Sequence, residues 1–147
     1  MALIGVSTGD NMKIKLLNYV CCPLCKDELQ LYVFEWNFED EKFTQDEKDK
    51  LKKLIGNFSD IRNELSQIYS ASKIENLDVL YGVFYCRSCK RWYPIGNLIP
   101  SVPELYYPDE LRNEQQELKF LEKWKNLLPP HIVLKSKPWN LSTKNDK

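Results

Sequence analysis

Residues 22–25 read Cys-Pro-Leu-Cys, and residues 86–89 read Cys-Arg-Ser-Cys. In each motif the chain turns tightly between the cysteines, so both thiolates can face one ion. Two such turns supply four sulfur ligands in a tetrahedron, which suits zinc at Zn–S distances of about 2.3 Å. The two motifs lie far apart in the sequence, but they can still bind the same ion, because a hairpin of strands can bring the two turns together. The predicted ligands of a zinc ribbon are Cys22, Cys25, Cys86 and Cys89.

Iron and redox chemistry compete with zinc for these cysteine pairs. Four sulfurs also suit iron in a rubredoxin-type site, so iron stays an alternative. Redox dithiols prefer a thioredoxin-like βαβ context, which surrounds neither pair. A closed four-cysteine site has no open position for water or substrate, so we expect a structural Zn²⁺ and not a catalytic one. The fifth cysteine, Cys21, is expected to be a buried small residue, because a register with Cys21 in place of Cys22 gives worse spacing.

The charge balance argues against one class of function. Lys plus Arg and Asp plus Glu each number 21 in 147 residues, and the pI is about 6.6. Proteins that bind phosphates on their own usually carry a basic patch and a high pI, so autonomous nucleic-acid binding is disfavoured. A local basic patch remains an alternative, because basic residues flank the cysteines at Lys26, Arg87, Lys90 and Arg91.

The sequence also bears on the compartment. No apolar run approaches the roughly 18 residues that a membrane span requires. The opening residues 1–6 are too short for a signal-peptide core. We therefore expect a cytoplasmic protein with no membrane partner. Five cysteines in that compartment favour metal binding over disulfides.

The chain around the cysteines predicts an α+β fold, a zinc-ribbon β domain with an inserted helical hairpin and a C-terminal helix. Residues 29–38 alternate as a strand, with Leu31 and Val33 on one face and Tyr32, Phe34, Trp36 and Phe38 on the other. Two further strands are expected at 79–86 and 91–95. Pro94 lacks an amide hydrogen, which indicates an edge strand or a bulge.

The helical part has recognisable signals at its helix ends. Thr44 and Glu47 form a capping box, Gly56 can stop that helix, and Ser59 can cap the next. A third helix is expected over 109–128, ended by two prolines. The predicted organisation is a disordered leader at 1–11, a zinc-ribbon domain at 12–38 and 74–108, an inserted helical subdomain at 39–73, and a C-terminal helix and tail at 109–147.

Signals for catalysis are lacking in the sequence. His131 is the only histidine and has no obvious partner nearby in the chain. No glycine-rich phosphate loop is present. No cysteine outside the metal pairs has a neighbouring histidine that could make it a nucleophile. The residues thus give no positive case for an enzyme.

Two stretches carry a family resemblance. Residues 82–95 read Gly-Val-Phe-Tyr-Cys-Arg-Ser-Cys-Lys-Arg-Trp-Tyr-Pro-Ile, Ile-Pro follows at 99–100, and residues 12–18 read Met-Lys-Ile-Lys-Leu-Leu-Asn. Together they resemble the zinc-ribbon activator subunit shared by tRNA, rRNA and release-factor methyltransferases, the multifunctional methyltransferase subunit family. The resemblance covers 12–110, and the tail is similar to the longer archaeal form. This chain departs from the family with Leu98, where glycine usually precedes the Ile-Pro.

The resemblance implies a function without catalysis. Members bind class I methyltransferases as heterodimer partners, add a β-strand to the partner's sheet and cover an apolar patch. The partner becomes soluble and binds S-adenosylmethionine better, and nucleic acid is met only through it. The alternative is a stand-alone zinc-ribbon nucleic-acid-binding adaptor of the transcription or translation machinery. The implied partner interface comprises Arg91, Trp92, Tyr93, Pro94, Ile95, Ile99 and Pro100.

Overall fold

A five-stranded antiparallel sheet organises the fold, as a computed structural model shows for residues 12–37 and 43–142. The predicted α+β class is confirmed. The predicted leader and Phe38 lie outside the described residues. The strands are β1 (Met12–Lys13), β2 (Gln30–Asn37), β3 (Gly56–Asn57), β4 (Asp78–Cys86) and β5 (Arg91–Ile95).

Strand β4 lies at the centre of the sheet. It pairs along one side with β2, and along the other side with β5 and β1, while β3 extends the sheet beyond β2. Because β2 and β4 are antiparallel, Gln30 at the start of β2 faces Tyr85 near the end of β4. The first cysteine motif precedes β2 and the second follows β4. This pairing therefore brings the two motifs to the same end of the sheet.

The two faces of the sheet are covered by different parts of the chain. Leu31 and Val33 face one core, and Tyr32 and Phe34 face the other, so the predicted alternation is confirmed up to this point. The prediction for Trp36 is wrong, since its side chain packs with Leu31 and Val33. The β2–β4 register shifts around Glu35, and a bulge of this kind reverses the side to which the following residues point.

Helices of the insertion cover the first face. Thr44 caps the first helix with the predicted capping box: its Oγ1 accepts from the Glu47 amide at 3.1 Å, and Glu47 accepts from the Thr44 amide at 2.9 Å. Asn57 caps the second helix, not Ser59. Gly56 lies in β3 at φ +123°, beyond the end of the first helix. The helices are α1 (Gln45–Lys52), α2 (Phe58–Ser66) and α3 (Ala71–Glu75).

The C-terminal part covers the second face. Helix α4 (Glu114–Trp124) lies within the predicted third helix and is flanked by short 3₁₀ turns. Helical structure ends at Leu127, just ahead of the two prolines, as predicted. Pro130 then begins a separate helix, α5 (Pro130–Lys135), because proline is well accommodated in the first helical turn. No helix in the described part of the chain is long and apolar enough to span a membrane. The side chains that pack on this face from the C-terminal part are Leu118, Phe120, Leu121, Leu128, Ile132, Val133 and Leu141.

Candidate metal centre

The four predicted cysteines converge at one end of the sheet. All four Sγ atoms lie within 4.8 Å of one another. The Cys22–Cys89 and Cys25–Cys86 sulfur pairs are 3.3 and 3.4 Å apart. A disulfide would need about 2.05 Å, whereas sulfurs bound at about 2.3 Å to one tetrahedral zinc are about 3.8 Å apart. The four cysteines are therefore positioned to bind one metal ion, and the donor set is consistent with structural zinc.

The two cysteine turns share one feature of their backbone geometry. Lys26 and Lys90, each directly after the second cysteine of its motif, adopt left-handed φ values of 67° and 62°. In the first turn the Lys26 amide donates to the Cys22 carbonyl at 2.8 Å, which closes the loop. The Ser88 hydroxyl donates to the Asp27 carboxylate and so links one turn to the other. The sequence predicted neither this backbone role of the two lysines nor the cross-link, because both depend on how the two turns fold.

The surroundings of the cysteine thiols shift their pKa values in different directions. Burial raises the pKa of Cys22, but the hydrogen bond from Tyr93 and those from the Cys25 and Leu24 amides outweigh it and lower this pKa to about 7. Burial raises the pKa of Cys86 and Cys89. Zinc binds thiolates, so a metal held here would replace the protons of the thiols. The bound metal would stabilise the fold by joining the turn that precedes β2 to the turn between β4 and β5.

The remaining candidates for metal ligation lie apart from this cluster. Cys21 is half-buried and is not among the four convergent sulfurs. His131 is exposed on α5 and packs edge-on against the Tyr85 ring, with centroids 5.4 Å apart.

The predicted basic patch is only partly exposed. Arg91, one of its predicted members, is buried and paired with Asp109. The other three members of the predicted basic patch, Lys26, Arg87 and Lys90, are exposed.

A family model described as a Trm112p-like protein matches residues 13–97, which is more than half of the chain and includes all four cysteines. The chain belongs to the Trm112p-like family. This family is in general a non-catalytic activator subunit that partners with methyltransferases, so membership implies an activator role. No curated protein and no solved structure matches the chain. The Trm112p-like match ends directly after β5, and residues 98–147 form a C-terminal extension beyond it.

The predicted partner-interface residues fall into two groups in this Trm112p-like chain. Those from 91 to 95 form β5 and are buried within the chain itself, with Trp92, Tyr93 and Ile95 fully buried. Ile99 and Pro100 are exposed, and 58% of Ile99 is accessible. Their contact with a partner stays a prediction. The accessible part of the predicted surface is thus Ile99 and Pro100, which lie in the exposed loop at 98–100.

The outer edge of β5 is closed by the chain's own backbone. The Trp92 amide donates to the Lys137 carbonyl at 3.0 Å, and the Glu104 amide donates to the Pro94 carbonyl at 2.9 Å. Because N and C=O of one strand residue point to the same side, the missing N–H of Pro94 also faces outward and costs no bond to β4. The prediction of an edge strand is confirmed, and the C-terminal extension covers that edge.

A buried ion pair holds the extension against β5. The Arg112 guanidinium donates to the Glu117 carboxylate at 3.0 Å and to the Trp92 carbonyl at 2.9 Å. Trp139 Nε1 donates to Glu117 at 3.2 Å, and Trp92 Nε1 donates to the Trp139 carbonyl at 2.9 Å. Arg112 and Glu117 were not predicted from the sequence, because charged residues on a predicted helix are ordinarily solvent-exposed.

Proposed function

We propose that this chain is a non-catalytic zinc-binding partner that activates and stabilises class I S-adenosylmethionine-dependent methyltransferases acting on tRNA, rRNA or release factor. The observation that carries the proposal is the Trm112p-like match over residues 13–97, together with the convergence of its four cysteines. The zinc ion is structural. It holds the β4–β5 hairpin, from which the loop at 98–100 extends toward the partner.

The exposed loop supports a docking role. Leu98 and Ile99 are 53% and 58% exposed, which places two large apolar side chains side by side in water. The loop borders an open cleft of about 420 Å³ whose opposite wall is α4, with Phe120 and Trp124 among its lining residues. Adjacent apolar residues beside an aromatic cleft are typical of a protein-interaction surface. A methyltransferase docking on the loop would therefore also contact α4.

The first experiment identifies the partner. The tagged chain is isolated from cells and the captured proteins are identified by mass spectrometry. Class I methyltransferases in equimolar complex are the expected result. Capture of ribosomal RNA or polymerase subunits without any methyltransferase would contradict the proposal and favour the nucleic-acid adaptor.

The second experiment tests the surface. Ile99→Asp should weaken the complex at least about tenfold, because it places a charge at a desolvated contact, while the zinc content stays the same. Ile68→Asp is the matched control, since Ile68 is 47% exposed on the inserted helical part. Ile95 is unsuitable for this test, because it is fully buried and a charge there would unfold the chain. Equal affinities for the Ile99→Asp variant and the unchanged chain would remove the loop from the interface.

A further inference from the structure

The Tyr93 hydroxyl lies against one of the predicted metal ligands. Tyr93 Oη is 3.2 Å from Cys22 Sγ, and both side chains are fully buried. A metal-bound cysteine is a thiolate, which accepts hydrogen bonds and cannot donate them. In the metal-bound chain Tyr93 must therefore be the donor, with its proton directed at the sulfur.

Arg91 determines the direction of that proton. Its Nε donates to Tyr93 Oη at 3.2 Å, so the phenol oxygen accepts from Arg91 on one side and donates to Cys22 on the other. A second nitrogen of the same guanidinium donates to the Asp109 carboxylate. Arg91 therefore donates in two directions, to the Asp109 carboxylate that anchors it and to the Tyr93 hydroxyl, which in turn donates to Cys22.

Asp109, the anchor of Arg91, lies outside the region that the family model matches. The Trm112p-like match ends at residue 97, whereas Asp109 begins the short 3₁₀ turn ahead of α4. The extension is therefore linked to the metal centre by the Asp109 carboxylate, through Arg91 and Tyr93. Four thiolates around Zn²⁺ carry a net negative charge, and a hydroxyl donor backed by a guanidinium partly offsets it in a buried place.

We propose that Tyr93 is a positioning residue of the metal centre, which donates an outer-sphere hydrogen bond to the Cys22 thiolate and is held in place by Arg91 and Asp109. Loss of an outer-sphere partner typically weakens metal binding about 10- to 100-fold. Tyr93→Phe, which keeps the ring in the core, should raise the dissociation constant for zinc by that factor. Asp109→Ala should raise it by a smaller factor, because Arg91 loses its anchor while the phenol remains.

Tyr85→Phe is the matched control. Tyr85 is also a buried tyrosine and is adjacent to a ligand, Cys86, but its ring faces the other core of the sheet. The variant removes a phenol of the same kind from the opposite face. It should leave the dissociation constant for zinc within about twofold of the unchanged chain.

The test uses the full chain alone, so its outcome is independent of any methyltransferase. Zinc affinity is measured by competition with a chromophoric chelator, and the sulfur-to-metal charge-transfer band is recorded after loading with Co²⁺. Tyr93→Phe should weaken zinc binding and move the band to lower energy, because a thiolate without the donor releases electron density more readily. Unchanged affinity, an unshifted band, or an equal loss in Tyr85→Phe would each overturn the proposal.

Discussion

Replacement of Arg112 by methionine tests how firmly the extension is held. The Arg112 and Glu117 side chains are almost fully buried, and Glu117 would retain Trp139 Nε1 at 3.2 Å as a donor. Removing one member of a buried ion pair leaves an uncompensated charge and costs about 3–5 kcal/mol. A domain of this kind has about 5–15 kcal/mol of total stability. Arg112→Met should therefore remove about a fifth or more of the free energy of unfolding.

The double variant Arg112→Met with Glu117→Met separates the cost of an orphaned charge from a loss of packing. Apolar replacement of both members of a buried pair is often neutral or stabilising, so we expect the double variant to recover at least half of the loss. Urea unfolding of the zinc-loaded chain, followed by tryptophan fluorescence, measures each step of the double-mutant cycle. A single-variant loss below about 1 kcal/mol, or a double variant no more stable than the single, would refute this reasoning.

Two further predictions concern the metal and the insertion. Chelation of the metal should unfold at least the β part, because structural zinc contributes on the order of 10 kcal/mol of apparent folding free energy; a native circular-dichroism spectrum of the metal-free chain at neutral pH would contradict this. The Thr44 amide and Lys73 lower the pKa of Glu47 below its ordinary value of 4.5. Its contribution is thus present above that value and lost as pH falls through the lowered pKa. Glu47→Gln should be less stable than the unchanged chain at pH 7, and their unfolding midpoints should converge as pH falls from the ordinary value of 4.5 through the lowered pKa of Glu47. A gap that stays constant with pH would exclude the charge as its cause.

Local patterns were sufficient for much of the fold. Strand β2 follows from alternating apolar residues, β4 and β5 follow from the apolar and aromatic runs on either side of the second cysteine pair, and the start of α1 follows from the Thr44–Glu47 pair. Signals of this kind act within a few residues, so they can be interpreted without knowledge of the rest of the chain. The four ligands are predictable for a related reason, because the spacing within each cysteine pair already defines a turn suited to one ion.

Only the tertiary structure shows which surfaces are buried by other parts of the same chain. The burial of β5, the position of Trp36 and the pairing of Arg112 with Glu117 all depend on contacts between distant segments. A shift in strand register, or the docking of a helix from a distant part of the chain, cannot be predicted from the apolar pattern of either segment alone. The amino-acid sequence by itself therefore determined the cysteine turns and the strands that carry them. Only the folded chain placed Tyr93 against Cys22 and the extension over the edge of β5, because burial is a property of the two surfaces that meet.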